Sequence, residues 1–92
     1  MEQLMQYVWQ YRLWPELVMT ASDGRRVDIV DAGTINRGSG PDFFNAKVRV
    51  DGQMWAGNVE IHVRASDWHR HHHDDDPAYD NVILHVVRYD DE

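Results

Sequence analysis

Two short stretches carry the residue types that metal-assisted hydrolysis needs: Gly40-Pro41-Asp42 and, downstream, Glu60-Ile61-His62. A divalent cation that activates water and steadies a leaving phosphate oxygen requires hard oxygen ligands from at least two elements, with a base or proton carrier nearby. Glu60 and His62 supply the local half of this, because residues two apart on a strand point the same way. Asp42 must then reach them from a neighbouring strand. In that arrangement Asp42 and Glu60 would bind Mg²⁺ or Mn²⁺, and His62 would position water or complete the metal shell.

A second group is the run His69-Arg70-His71-His72-His73 with Asp74-Asp75-Asp76. Imidazole and carboxylate together suit zinc or nickel. Most of such a run is expected to be a solvated, self-neutralising segment. His73 and Asp76 are the better ligands, since Pro77-Ala78-Tyr79 would anchor that end. His85 lies alone in an apolar stretch, where a core histidine is the ordinary reading. Alignment with His62 on an adjacent strand would instead make it a ligand. The candidate metal set is therefore Asp42, Glu60, His62, His73 and His85, and the catalytic subset is Asp42, Glu60 and His62.

The elements that must position these residues follow from periodicity. Leu4, Val8 and Tyr11 recur at helical spacing, with Met5 and Trp9 on the adjoining stripe, so a helix is expected from Glu2 to about Leu13, stopped by Pro15. A short strand around Val27 and Ile29 closes at Asp31-Ala32-Gly33, and Thr34 to Gly40 read as a loop. From Phe43 to Val50 a strand is expected with Phe44, Ala46, Val48 and Val50 on one face and Phe43, Asn45, Lys47 and Arg49 on the other. Lys47 and Arg49, beside Asn58, would touch a phosphate or solubilise the sheet. Asp51-Gly52 signals a hairpin, and the returning strand, Gln53 to Arg64, sets Trp55, Gly57, Val59, Ile61 and Val63 against Asn58, Glu60, His62 and Arg64. Ser66 is expected to cap a short helix through Asp67-Trp68, and the near-continuous apolar run from Asn81 to Tyr89 predicts a last strand covered on both faces. Core packing is the expected role of most of the tryptophans, Trp9, Trp14, Trp55 and Trp68.

Register decides whether the first site exists. With a two-residue Asp51-Gly52 turn, Phe43 faces Glu60 and Asp42 falls opposite Ile61, on the apolar side. A three-residue loop with a bulge would instead bring Asp42 across from His62. The apolar stripes favour the two-residue register, so a site requires a backbone irregularity just after Pro41, for which Gly38, Gly40 and Pro41 are the available material. Without it, Asp42 caps a turn and Glu60 and His62 form a solvated strand face.

Composition limits the rest. Ninety-two residues make one domain, 1–92, with a small core in which four Trp, four Tyr and two Phe supply the bulk. With no cysteine, disulfides and thiolate metal sites are excluded. No apolar run is long enough to span a bilayer and no signal pattern opens the chain, so a cytoplasmic protein without a membrane partner is expected. The net charge of −7 argues against a module that grips nucleic acid through its phosphates alone. A metal-dependent nuclease, with an acidic centre, is less affected.

Met1-Glu2-Gln3-Leu4, Gly40-Pro41-Asp42-Phe43-Phe44-Asn45-Ala46-Lys47-Val48, Trp55-Ala56-Gly57-Asn58-Val59-Glu60-Ile61-His62, Ser66-Asp67-Trp68 and Tyr79-Asp80-Asn81-Val82-Ile83-Leu84-His85 together resemble the N-terminal part of the bacterial domain-of-unknown-function family 2851. That resemblance implies a truncation, a fragment or a stand-alone short relative of a longer family architecture. A second resemblance is to the PD-(D/E)XK nuclease superfamily, whose Pro-Asp opens the second strand of a meander and whose Asp/Glu-x-Lys lies on the third. His62 stands where that pattern has lysine. The implied fold is α/β, a small mixed sheet in the order α-β-β-β-(short α)-β with a restriction-endonuclease-like core, and the fourth strand parallel to the third through a right-handed crossover. The implied function is a metal-dependent nuclease acting on nucleic acid. The alternative is a non-catalytic metal-binding or interaction module, for which a homo-oligomer is the natural assembly.

Overall fold

The computed structural model describes residues 1–13, 19–20, 23–89 and 91. It is an α/β arrangement with a mixed sheet. Helix α1 (Glu2–Tyr11) is followed by β1 (Met19–Thr20), β2 (Arg26–Asp31), β3 (Thr34–Ile35), β4 (Phe43–Val50), β5 (Gln53–Arg64), the short helix α2 (Asp67–Arg70), two 3-10 turns (His73–Asp75 and Pro77–Tyr79) and β6 (Val82–Tyr89). The sheet runs β1-β2-β4-β5-β6, with β3 continuing the β2 edge alongside β4. All pairs are antiparallel except β5 with β6. The meander and the parallel last strand match expectation. Two short strands, β1 and β3, are additional, and β3 lies in the segment expected to be a loop.

The hairpin at Asp51-Gly52 has two residues, with Val50 opposite Gln53 and both turn residues at positive φ (49° and 82°). From there the register of β4 on β5 is regular up to Ala46 opposite Gly57. It then shifts, so that Phe43 lies opposite Val59. Asn45, at φ 58°, is the extra residue; asparagine tolerates the left-handed region better than other non-glycine residues. The irregularity that the site requires is thus present, inside the strand rather than at Gly38–Pro41. It also corrects the expected faces of β4: Phe43, not Phe44, joins Ala46 and Val48 in the core, fully buried. Gly33 packs against this bulge at φ 85°, where a Cβ would lie 2.5 Å from the Phe44 carbonyl oxygen.

The core comprises Trp9, Val27, Ala32, Phe43, Ala46, Val48, Val59 and Ile61, flanked by Met5, Ile29, Leu84 and Val86. On α1 the inward stripe is therefore Met5–Trp9, whereas Leu4, Tyr7 and Tyr11 are more than half exposed. The Trp9 indole N–H donates to the Ala32 carbonyl at 3.0 Å and its ring tilts on Phe43. The helix ends before Leu13: Arg12 takes a left-handed conformation, and the N–H groups of Arg12 and Leu13 bond back to Trp9 and Val8. Pro15 and Trp14 lie outside the described residues. Helix α1 covers the Val59–Ile61 part of the apolar face but leaves Trp55 47% exposed, against expectation. Strand β6 is the sheet's edge, and its residues 82–87 are half-buried rather than covered on both faces. Ser66 precedes α2 without capping it; its hydroxyl donates to Asp91 Oδ2 at 2.7 Å instead.

Candidate metal centre

Four successive residues of β5, Val59 to His62, are all buried. Two face the apolar core. Glu60 and His62, 4% and 2% exposed, face the other way and are covered by the crossover between β5 and β6. They are therefore not a solvated strand face, and every polar atom among them needs a partner.

The β4 bulge brings Asp42 to this group. One residue beyond the Phe43–Val59 pair, Asp42 lies beside Glu60, not beside His62. Its Oδ2 accepts from the Ile61 N–H at 2.9 Å and its Oδ1 from the Gln6 side-chain amide at 3.0 Å, so the carboxylate is fixed from both the sheet and α1. Glu2, one turn earlier on the helix, senses the same cluster: burial first, then the Asp42 charge, raise its carboxyl pKa.

The histidines come from three elements. His85, in register with Glu60, has its Nε2 2.7 Å from His62 Nδ1. From the crossover, His71 Nδ1 stands 3.1 Å from His62 Nε2, and His73 Nε2 lies 2.6 Å from Glu60 Oε2. Glu60 Oε2 is in turn 3.5 Å from His62 Nε2. The His73 ring stacks on Tyr79 at 3.8 Å, and Trp68 meets both His73 and His85 edge-on or tilted. The short His73–Glu60 contact is poorly aligned, and His73 Nε2, fully buried, is left without a hydrogen-bond partner.

Burial dominates the electrostatics. The Glu60 carboxyl is pushed up to about 9, first by loss of solvent and then by Asp42 beside it. His62 is lowered to about 4, by burial and then by His85, His71 and His73. Burial also lowers His73 and His85, and raises the Tyr79 hydroxyl to about 12. Glu60, His62, His73 and His85 thus share a closed space in which the charged form of each is disfavoured. A bound divalent cation would reverse this for Glu60, whose ionised form it would stabilise.

All five residues singled out from sequence, Asp42, Glu60, His62, His73 and His85, fall within this one cluster. Asp76 does not: it is exposed, and its carboxylate accepts from the Ala78 N–H at the second 3-10 turn. His71 does, although its place in a polar run gave no reason to separate it from His72. The available signal is parity, since His71 and His73 alternate around His72, whose φ of 58° turns the chain between them. Gln6 and Trp68 carried no sequence signal of a role here; Tyr79 belongs to the Pro77-Ala78-Tyr79 anchor expected for His73, on whose ring it stacks.

A family model described as "Protein of unknown function (DUF2851)" matches residues 2–92, and the chain belongs to that family. No curated protein and no solved structure matches it. No helix among the described residues is long and apolar enough to cross a membrane.

Proposed function

We propose that this member of the DUF2851 family is a divalent-metal phosphodiesterase domain on the PD-(D/E)XK plan, acting on nucleic acid. The observation that carries the proposal is the pairing of Asp42 with Glu60 through the Asn45 bulge, with His62 two residues farther along β5. The strand path supports it: β2, β4 and β5 form an antiparallel meander, and β6 returns parallel to β5 after a crossover. In this reading Asp42 and Glu60 would hold Mg²⁺ or Mn²⁺, which would supply Lewis acidity toward the phosphate and the attacking water. His62, neutral at physiological pH because of its burial, takes the place of lysine and orients that water. The acidic chain contributes little phosphate grip of its own, so a further domain or subunit supplies it. Plasmid and linear DNA incubated with Mn²⁺ and either the wild type or Asp42→Asn test this: cleavage by the wild type alone is expected. Equal cleavage by both proteins, or none by either, defeats it.

A second reading, a non-catalytic metal-binding module, is favoured by how closed the cluster is. The sheet's groove of about 640 Å³ is lined by Asn45, Lys47, Asn58, Asp80 and Ile83 among others, and neither Glu60 nor His62 borders it. A phosphodiester reaches Glu60 only if the crossover lifts. The coordination of the bound ion separates the readings: oxygen-rich and six-coordinate for catalysis, tetrahedral and closed for a structural ion.

A further inference from the structure

We infer that His62, His71, His73 and Glu60 form a four-donor site for a zinc-class transition metal, which fastens the crossover to β5. The inference shares Glu60 and His62 with the phosphodiesterase reading but does not require hydrolysis.

Two of the donor–donor distances match the edges of a tetrahedral coordination shell. A tetrahedral ion with ligands at roughly 2.0–2.1 Å has donor–donor edges of about 3.3 Å. His62 Nε2 lies 3.1 Å from His71 Nδ1 and 3.5 Å from Glu60 Oε2. His73 Nε2 touches the same Glu60 oxygen at 2.6 Å, and the donor nitrogens of the three histidines lie within 4.8 Å of one another. Closing a shell of four around one ion asks His73 to separate slightly from Glu60 and approach the other rings.

The hydrogen bonding is independent support. His73 is about nine-tenths buried, and its Nε2 faces the cluster with no hydrogen-bond partner. Such an atom is costly unless something satisfies it, and a lone pair directed at a cation is satisfied. The His62 and His71 nitrogens at 3.1 Å need a proton between them when no ion is present; with one, both present lone pairs to it. His62 then carries its proton on Nδ1 and donates to His85 Nε2 at 2.7 Å. That makes His85 the outer partner that fixes the tautomer and ring angle of His62, the usual arrangement behind a metal-bound imidazole. His71 is the exposed member, so the ion enters from its side.

Three ring nitrogens and one carboxylate oxygen select zinc, cobalt or nickel over magnesium, which prefers oxygen and octahedral geometry. The ion would join β5 to a crossover that holds little helix, only Asp67–Arg70 and two 3-10 turns. The test is titration with Co²⁺, read by visible absorption, and with Zn²⁺, read by calorimetry. Wild-type protein should bind one ion per chain with the intense spectrum of four-coordinate Co²⁺. His73→Gln should weaken binding by more than the roughly 10–100-fold that loss of an outer-shell partner costs, and His85→Ala by an amount within that range. His72→Asn, outside the shell and at a positive φ that asparagine tolerates, should leave affinity within about threefold, since it removes no ligand. Circular dichroism establishes that each variant is folded; if His73→Gln is not, the near-isosteric Glu60→Gln replaces it, with the same expected loss. A six-coordinate Co²⁺ spectrum, or equal losses for His72→Asn and the ligand variant, overturns the site. Four-coordinate binding without DNA cleavage removes the phosphodiesterase reading and leaves this one. Cleavage in Mn²⁺ without four-coordinate Co²⁺ does the reverse.

Discussion

Between Val59 and His62 the two faces of β5 are almost equally buried and chemically opposite. Val59 and Ile61 are fully enclosed by Trp9, Phe43 and their apolar neighbours, while Glu60 and His62 are almost as fully enclosed by histidines, a tyrosine, a tryptophan and a second carboxylate. On the first face burial is itself the source of stability. On the second it is a cost that hydrogen bonds and counter-charges must offset. The partners supplied there are all titratable: the ion-pair contacts of Glu60 among the described residues are to His62 and His73, not to lysine or arginine. A face built for stability alone would use apolar residues of similar volume. One strand therefore carries a core that is complete and a centre that lacks positive charge.

The comparison is broken most severely from the apolar side. Ile61→Ala removes buried methylene groups among residues that can collapse only in part, and should cost about 2–5 kcal/mol in denaturant unfolding, with or without metal. If added Zn²⁺ restores that loss, the two faces are not independent.

On the polar side the expected effect depends on the ion. At a Zn²⁺ concentration 100-fold above its dissociation constant, wild-type protein should gain about 2.7 kcal/mol. Glu60→Gln should stabilise the metal-free protein at pH 7, because the wild-type carboxyl, raised to about 9, must take up a proton on folding that glutamine does not need, and it should lose most of the zinc-dependent gain. Paired thermal melts with Zn²⁺ and with chelator measure both quantities. A large loss from Glu60→Gln in chelator would mean that the carboxylate stabilises the fold directly.

The bulge that joins the faces is the next point of attack. Asn45→Val places a β-branched residue at φ 58° and should cost roughly 1–2 kcal/mol, whereas Asn45→Gly should be nearly silent. If Val is accommodated by slipping into regular register, Asp42 moves away from Glu60 and toward the Ile61 side. Loss of Mn²⁺-dependent cleavage with little loss of stability would report that slip.

This bulge also marks how far the sequence could be read. The hairpin at Asp51-Gly52 and the strands on either side were legible, because period-two alternation and a two-residue turn are local signals, whereas the parallel course of the last strand came with the fold that the resemblance implies. The need for an irregularity was legible too, since regular register would have turned Asp42 toward the core. Its position was not. Two consecutive phenylalanines, Phe43 and Phe44, fit either face, and only the left-handed backbone at Asn45 decides which one enters. The gathering of His62, His73 and His85 was foreseeable from strand pairing and anchoring, but His71 was not. Its position depends on how an irregular crossover folds back over β5, and that path has no periodicity to reveal it.

The pH response of the metal-free protein sharpens the contrast further. Glu60 binds a proton more tightly folded than unfolded, so its contribution is fully present below its unfolded pKa near 4.5 and is lost as pH rises toward 9. His62 is depressed, so its contribution is present above 6.5 and is lost as pH falls toward 4. Between 4.5 and 6.5 the two oppose each other; above 6.5 only the Glu60 decline remains, with a slope of at most about 1.4 kcal/mol per pH unit. Unfolding in chelator at pH 6.5, 7.5 and 8.5 should show falling stability, and added Zn²⁺ should gain more at each step, because binding displaces the Glu60 proton. Stability that rises with pH in chelator would remove Glu60 as the controlling group.

The smallest effect is expected where the apolar face ends. Trp55 shares a face with Val59 and Ile61 and stands opposite Val48, yet it is nearly half exposed, because α1 docks farther along the sheet through Trp9. Between them, Gly57 leaves a space that Ile83 of β6 enters, its methyl 2.5 Å from where a Cβ would be, so the continuous core closes at that point. Full burial of a large apolar side chain is worth about 1.5–3 kcal/mol, and Trp55 realises only part of it. Trp55→Thr, which keeps a β-branched residue in the strand, should therefore cost about 1 kcal/mol or less in denaturant unfolding, with Zn²⁺ affinity unchanged. A loss as large as that of Ile61→Ala would mean that Trp55 is covered in solution by a surface other than α1, and the apolar face would then extend along the whole strand.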